Sequence, residues 1–360
     1  MVFNPFKKIT SALFSKSFLG IDIGSASIKV VELSSRQGVK LENYAQLKTE
    51  YFAGQEFVQH FQTGALLSGP RITEALSAMF QEAKIRAKNV FFSIPDYASF
   101  FTTFTLPPMS KKELEEAIKY EAPRHIPLPL ADVTLDWQII KGTPQFEGTV
   151  PLKILLVAVP NETIEQYQKI AQSLNLKILA LETEVFALSR ALVKYQDKKG
   201  VVCLADIGHK TTTINIISHN VLKTSHSIDL SSEELTQALA NKLKIDTRKA
   251  EIIKNMYGIK KNPTIKEILL PLIDNLSKEM QKIFNEYFLE EKEKVDKIII
   301  SGGGARLPGL AEYLNEKFKL PCEVGNPFLD INYPPGLELI LQKIGPEFTI
   351  AVGAALRGVY

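Results

Sequence analysis

Cysteine is nearly absent: Cys203 and Cys322 are the only two in 360 residues. Two isolated cysteines make neither a disulfide framework nor a sulfur-ligated metal site, and Cys203 lies in an apolar run that reads as core, so the chain suits a reducing compartment. The five histidines (His60, His125, His209, His219 and His226) show no metal-ligand spacing. No unbroken apolar run approaches the roughly 18 residues of a membrane-spanning helix. Neither sign of charge dominates: 43 basic and 40 acidic residues are dispersed along the chain and leave a net charge of +3. That gives no case for a nucleic-acid binder, which usually shows a basic stripe. Also missing are a P-loop, G-x-x-x-x-G-K-[ST], and a G-x-G-x-x-G fingerprint opening a βαβ unit.

Three glycine-bearing turns are present instead. The first, Asp22-Ile23-Gly24-Ser25-Ala26-Ser27, separates an apolar run over 18–23 from a β-branched run over 28–32. Gly24 lets the backbone close on an anion, and consecutive amides beside Ser25 and Ser27 suit an anion-binding concavity. Asp22 suits a magnesium ion held through water. Taken alone, the segment is equally an ordinary hairpin. The same plan recurs half a chain later: an apolar run over 201–205, Asp206-Ile207-Gly208, the polar residues His209, Lys210 and Thr211, then Thr212 and a β-branched run. A long period repeated only twice predicts two related lobes, not a solenoid, and two such turns would clamp one nucleotide from both sides. The third segment is a buried strand over 295–300, then Ser301-Gly302-Gly303-Gly304-Ala305-Arg306 and a helix start after Pro308. A tight βα turn needs one glycine; three remove every side chain where a flat ring or ribose would approach, and the helix adds its N-terminal dipole.

Periodicity predicts strands over 41–49, 89–95, 99–105, 132–140, 152–160, 177–181 and 221–229, and helices over 71–86, 111–120, 162–173, 185–195 and 265–294. Ser110 with Glu113, and Ser231 with Glu234, read as capping boxes. Pro123, Pro127 and Pro129 stop the helix before them. The charged stretch 290–294 reads as solvated surface, and 51–70 as irregular. Residues 1–17 are basic and mildly amphipathic, with Phe6, Ile9, Leu13 and Phe14 on one face and Lys7 and Lys16 elsewhere. This reads as a leader packed on the first lobe or as a weak membrane-surface anchor, not as a signal peptide.

In this order the three segments resemble the actin–Hsp70–sugar kinase ATPase fold, with 21–29 like its first phosphate loop, 205–213 like its second and 300–310 like its adenosine motif. Within that superfamily the chain resembles the PilM family of type IV pilus assembly, and behind it the division protein FtsA, through 19–33, 111–122 and 181–191. The resemblance implies an α/β, two-lobed actin-like ATPase (ribonuclease H-like repeat) fold with an FtsA/PilM-type 1C subdomain. The implied organisation is a leader at 1–17, subdomain 1A at 18–87 and 177–199, 1C at 88–176, 2A at 200–230 and 295–343, 2B at 231–294, and a helix connecting back to the first lobe at 344–360. The small residues Ala351, Gly353, Ala354 and Ala355 would let that helix pack closely.

The resemblance further implies ATP or ADP with Mg2+. Asp22 and Asp206 would organise the metal. Gly24, Ser25, Ser27, Lys29, Gly208, Lys210, Thr211 and Thr212 would line the phosphates. Glu251 and Lys254 would reach the ribose and adenine, Gly302, Gly303, Gly304, Ala305 and Arg306 would flank the adenosine, and Glu184 would stand near the attacking water. Other readings stay open: Lys29 and Arg306 as surface cations, Glu251–Lys254 as a solvent-facing ion pair, and Glu184 as a helix-start acid. Where the family usually reads Gly-Gly, this chain has Ser231 and Ser232.

The implied function is a cytoplasmic scaffold, peripheral at the inner membrane, with weak ATPase activity at most and nucleotide acting as a switch. It would dock the N-terminal cytoplasmic peptide of a PilN-like single-span protein. Pilus assembly ATPases, the platform protein and self-association are further implied contacts; nucleic acid is not one. The alternatives are an FtsA-like filament former, against which the missing C-terminal amphipathic helix counts, and a small-molecule kinase of the sugar kinase class. A kinase needs a general base, for which Asp132 and Asp136 are the nearest candidates.

Overall fold

The computed structural model describes residues 17–35, 38–49, 69–144, 150–193 and 200–360. The basic leader, apart from Ser17, and nearly all of the stretch expected to be irregular lie outside the described residues. The chain divides into two compact units: Met1–Ala187 with Ile350–Tyr360, and Leu188–Thr349.

In the first unit, β1 (Ser17–Ile23), β2 (Ser27–Ser34), β3 (Lys40–Lys48), β4 (Asn89–Ile94) and β8 (Lys177–Thr183) form a sheet in the order β3-β2-β1-β4-β8. The first three strands pair antiparallel, whereas β4 runs parallel to both β1 and β8. Runs such as Ile28, Val30 and Val31 are buried throughout, because helices cover both faces. One face packs on α1 (Gly69–Glu82) through Ile72, Ala75, Leu76 and Met79, and on α3 (Asn161–Ser173) through Ile164, Tyr167 and Ile170. On the other, Phe18, Phe91 and Ala180 meet Ala187, Ile350 and Ala354.

A second, three-stranded sheet is built from β5 (Phe100–Leu106), β6 (Val133–Lys141) and β7 (Leu152–Pro160), in the antiparallel order β5-β7-β6. It packs through Phe104, Ile154 and Leu156 against Leu114 and Ile118 of α2 (Lys111–Glu121). The expected Ser110–Glu113 capping box is present. This module is smaller than the expected 88–176. Its supposed first strand, β4, hydrogen-bonds into the five-stranded sheet, and its supposed last helix, α3, fills that sheet's core. Fully apolar strands such as Val90-Phe91-Phe92 need cover on both faces, and only the larger sheet offers it.

The second unit repeats the plan. β9 (Val201–Ile207), β10 (Thr212–Ser218), β11 (Val221–Ile228), β12 (Lys297–Ser301) and β13 (Cys322–Val324) adopt the order β11-β10-β9-β12-β13. Between β11 and β12 stand α5 (Ser232–Leu243), α6 (Thr247–Tyr257) and α7 (Pro263–Glu291), and α8 (Leu310–Phe318) joins β12 to β13. Leu235, Leu239, Ala250, Leu269, Ile273 and Met280 close their core on Cys203, Ile214 and Ile300 of the sheet.

α7 stops at Glu291, where Lys292 turns left-handed (φ 60°). The stretch 290–294 lies at the surface as expected, and within it Glu293 accepts from Ser218 Oγ at 2.8 Å and from Tyr287 OH at 2.7 Å.

The change of unit falls inside α4 (Glu184–Leu192) and inside α9 (Glu338–Leu356), not at residues 200 and 344. α9 starts six residues before the expected 344 and carries Pro346 within it. Together with the short turn before it, it is long and apolar enough to cross a membrane, yet 67% of that window is buried inside the protein.

Candidate functional site

In the first unit the β1–β2 turn is closed by the Gly24 N–H, which donates to Ser27 O at 3.1 Å. The end of β3 braces it: Thr49 N–H donates to Ala26 O at 2.9 Å and Thr49 Oγ1 to Ser25 O at 3.2 Å. The N–H groups of Ser25 and Ala26 have no internal acceptor among the described residues, as an anion-binding turn requires. Ser27 is buried, and its hydroxyl accepts from Gln46 at 3.2 Å. Lys29 does not project to solvent. It sits opposite Asp22 in the β1–β2 register, with Nζ 2.9 Å from Oδ2 and side-chain exposures of 12% and 4%.

Three acids gather at the carboxyl ends of β1, β4 and β8, where open α/β sheets place their ligands. They are Asp22, Asp96 and Glu184. Asp96 and Glu184 brace each other: Asp96 N–H donates to Glu184 Oε2 at 3.2 Å and Val185 N–H to Asp96 Oδ1 at 3.3 Å. Burial pushes the phenol of Tyr97 above its usual range, and the negative charges of Glu184 and Asp22 add to this. Fully buried Tyr167 is raised in the same way, and its hydroxyl has no partner among the described residues. Asp96 and Tyr97 were not singled out from the sequence; Pro95-Asp96-Tyr97 directly after a buried strand is the signal that marks them.

In the second unit Gly208 N–H donates to Thr211 O at 2.9 Å. A Cβ at Gly208 would lie 2.7 Å from that carbonyl, so glycine is required. The carbonyls of Gly208 and His209 accept from Ser232 N–H at 3.0 Å and Glu233 N–H at 2.9 Å, tying the turn to the start of α5. The N–H groups of His209, Lys210 and Thr211 are left without internal acceptors among the described residues. Thr212 is buried, and its hydroxyl has no partner among the described residues. Burial depresses the pKa of His209, partly offset by Glu233, whose Oε2 lies 3.8 Å from Nε2.

The three glycines divide their work. Gly302 has φ +81°, and a Cβ there would meet Ile207 O at 2.5 Å and Asp206 Oδ1 at 2.9 Å. A Cβ at Gly304 would strike Ile207 Cγ2 at 2.2 Å. These two are demanded by packing on the end of β9. Only Gly303 opens onto free space, with nothing nearer than Glu347 Cγ at 3.9 Å. Ala305 is buried beside them, and Arg306 is held by an ion pair with Glu347.

Lys254 lies at the centre of a buried network. Its Nζ donates to Ser232 O at 2.9 Å, Ser232 Oγ at 2.6 Å and Thr236 Oγ1 at 2.8 Å, and pairs with Glu251 Oε2 at 2.6 Å. Burial lowers its pKa, and Glu251 pulls it back. Burial raises the pKa of Glu251, but Lys254, Thr236 and Asn255 outweigh this and leave it low. The pair is thus not a solvent-facing one: Lys254 is 2% exposed with its donors used internally, and only the half-exposed Glu251 reaches the surface. Both serines where the resemblance implied Gly-Gly have roles, Ser231 in a capping box and Ser232 as the Lys254 acceptor.

Among the described residues no group of three or more His, Cys, Asp or Glu side chains is placed to hold a metal ion. The repeated hairpin-first mixed sheets, each with a glycine turn after its first strand, define an actin-like ATPase fold. That fold is shared by the ethanolamine utilization protein EutJ from Carboxydothermus hydrogenoformans, at 16% identity and TM-score 0.56 over 99% of this chain and 92% of that one. MreB5 of Spiroplasma citri bound to ADP matches at 12% identity and TM-score 0.54, over 94% and 95%.

The family model described as type IV pilus assembly protein PilM matches residues 20–359, and the chain belongs to that family. A solved chain of the PilM–PilN type IV pilus biogenesis complex matches at 25% identity and TM-score 0.81, over 95% of this chain and 98% of that one. The cell division protein FtsA of Pseudomonas aeruginosa is 23% identical over 231 residues, 58% of this chain and 54% of its own length. FtsA of Neisseria meningitidis is 23% identical over 199 residues, 49% and 48%. The chain thus spans about half the length of the curated relatives it matches.

Proposed function

We propose that the chain is a nucleotide-responsive scaffold of type IV pilus assembly, working at the cytoplasmic face of the inner membrane, where it docks the N-terminal cytoplasmic peptide of a PilN-type single-span protein. The observation that carries this reading is the likeness, along nearly the whole chain, to the solved PilM–PilN complex. An extended peptide gains affinity by adding backbone hydrogen bonds to a sheet edge. In the first unit the edge strands are β3 and β8 of the larger sheet and β5 and β6 of the smaller. Assembly ATPases and the platform protein are further proposed contacts.

ATP or ADP with Mg2+ is the proposed ligand, and the residues present fit it. Turn amides of Ser25, Ala26, His209, Lys210 and Thr211 carry no internal acceptor among the described residues, and Gly303 leaves room beside Glu347. Bound nucleotide supplies a polyphosphate charge that the protein can grip or release. The turn amides and Lys210 would bind that charge, and Lys29 would divide its own between Asp22 and phosphate. Asp22 and Asp206 would orient the metal through its water shell, since magnesium keeps several waters. Glu251, held ionised by Lys254, would accept from ribose hydroxyls. Glu184 would orient a water, its carboxylate fixed by the Asp96 amide. A carboxylate already engaged in this way favours slow turnover and a switching role.

Thermal unfolding with and without Mg-ATP tests this reading on the wild type and on Gly303→Val, which adds bulk where there is space. At a ligand concentration about 100 times Kd the wild type should gain about 2.7 kcal/mol, and the variant should fold normally without the gain. A wild type that is not stabilised would sink the nucleotide part. Anisotropy of a labelled partner peptide, measured with and without ATP, tests the docking; affinity unmoved by nucleotide would leave a scaffold without a switch.

A further inference from the structure

The basic residues are unevenly placed in a chain of net charge +3. Between Lys242 and Lys266 there are eight basic residues and two acidic ones. One basic residue, Lys254, is buried, and its charge is matched by half-exposed Glu251, the single acid of α6. The outer face of α6 is then Arg248, Lys249, Ile252, Asn255 and Met256, all exposed, with half-exposed Glu251 at its side, where Asn255 donates to it at 2.9 Å. Ile252 is 60% and Met256 53% exposed, a large apolar pair one helical turn apart. Exposed Lys242 and Lys244 precede this face, and exposed Lys260, Lys261 and Lys266 follow it. Two of the cations are answered locally, Lys249 by Asp246 at 3.4 Å and Lys260 by Glu312 at 2.7 Å. Lys242, Lys244, Arg248, Lys261 and Lys266 have no ion-pair partner among the described residues.

We propose that α6 and its flanks are a docking surface for an anionic lipid bilayer. The pattern is that of an interfacial helix: two apolar side chains to enter the headgroup boundary, with long basic side chains on either side whose stems lie along it while their charges reach lipid phosphate. Nucleic acid fits poorly, because the helix's one aromatic residue, Tyr257, packs on the core and no ring stands outside for base stacking. An acidic protein would answer the charges but not the exposed Ile252–Met256 pair, which the headgroup boundary of a bilayer takes up without a shaped partner surface. The surface uses no residue of the proposed nucleotide site except Glu251 and Lys254, which act here only because Lys254 neutralises the one carboxylate of α6.

The test is co-sedimentation of the full chain with vesicles of phosphatidylglycerol and phosphatidylethanolamine, against vesicles of phosphatidylcholine alone, at low and high salt. The wild type should partition to the anionic vesicles only, and less at high salt. Arg248→Glu with Lys261→Glu should lower the partition coefficient by about 30-fold or more, roughly five-fold for each basic residue lost. Ile252→Gln with Met256→Gln should weaken binding in a way that low salt does not restore. All four positions are exposed, so unfolding midpoints should match the wild type. A wild type indifferent to phosphatidylglycerol overturns the proposal, and so do variants that partition like the wild type, which would place any membrane contact elsewhere, as at the basic leader. Retention on immobilised polyglutamate without vesicle binding would reassign the surface to an acidic protein and overturn it equally.

Discussion

Lys254 is a buried charge whose hydrogen-bonding capacity is taken up by Ser232, Thr236 and Glu251. Removing one member of such a set leaves the others unsatisfied in a dry site, which costs more than the bond itself is worth. Lys254→Met should therefore lower stability by about 2 kcal/mol in urea unfolding. Much of that loss should vanish in a Ser232→Ala background, because the two side chains belong to one network. Equal losses in both backgrounds would show the network is not cooperative. Ser232 has two roles: it serves Lys254 with its side chain while its N–H serves the Gly208 carbonyl. Ser232 thereby links the β9–β10 turn to Glu251.

α9 approaches its neighbours at backbone distance. A Cβ at Gly353 would lie 1.9 Å from Ala187 O, and one at Gly20 of β1 would lie 1.9 Å from Ala351 O. The helix cannot retreat, since Arg357, just beyond its end, is tied to buried Glu182 by a 2.8 Å ion pair. Gly20→Ala and Gly353→Ala should each cost about 3 kcal/mol or more, the high end of overpacking. Gly336→Ala, with nothing within 4 Å of the new methyl, should be nearly neutral. Thermal midpoints of the three variants check this, and a tolerated Gly353→Ala would mean that α9 moves freely against α4. At the helix starts, Ser231→Ala should cost about 1 kcal/mol, whereas Ser231→Gly should cost only a few tenths.

Across the whole molecule, stability near neutral pH should depend on two partly buried histidines. Burial lowers the pKa of both His209 and His226 from the ordinary 6.5. Glu233 and Glu251 oppose this at His209, where Lys254 and Lys210 reinforce it; at His226 Glu286 opposes and Lys282 reinforces. A histidine whose folded pKa is depressed takes up its proton in the unfolded chain first. Stability should therefore fall as pH drops through about 6.5 and level off below the folded values. The depressed carboxylates, Glu251 among them, lose their contribution at lower pH, below about 4.5. Denaturation between pH 7.5 and 5.5 should show this slope, and His209→Asn with His226→Asn should flatten it. An unchanged slope would put the proton uptake at other groups.

Much of the architecture is local and was legible in the chain itself. The duplicated Asp-Ile-Gly hairpins, the buried strand before the triple glycine, and the Ser110 and Ser231 caps rest on short-range periodicity and turn chemistry. Each appears in the structure where the residues predicted it. What the sequence could not determine depended on partners distant along the chain. β4 reads the same whether it pairs in the small sheet or beside β1, and only cover on both its faces selects the latter. Gly302 and Gly304 look like ligand clearance until Ile207 is brought against them, and Lys254 looks like a solvent-facing partner of Glu251 until α5 closes over it. The sequence by itself determined the elements, their repeat and the glycine turns, because these follow from neighbours within a few residues. The tertiary structure alone decided which of those glycines and charges are spent on packing and which stay open, because burial and steric contact are set by residues far apart in the chain.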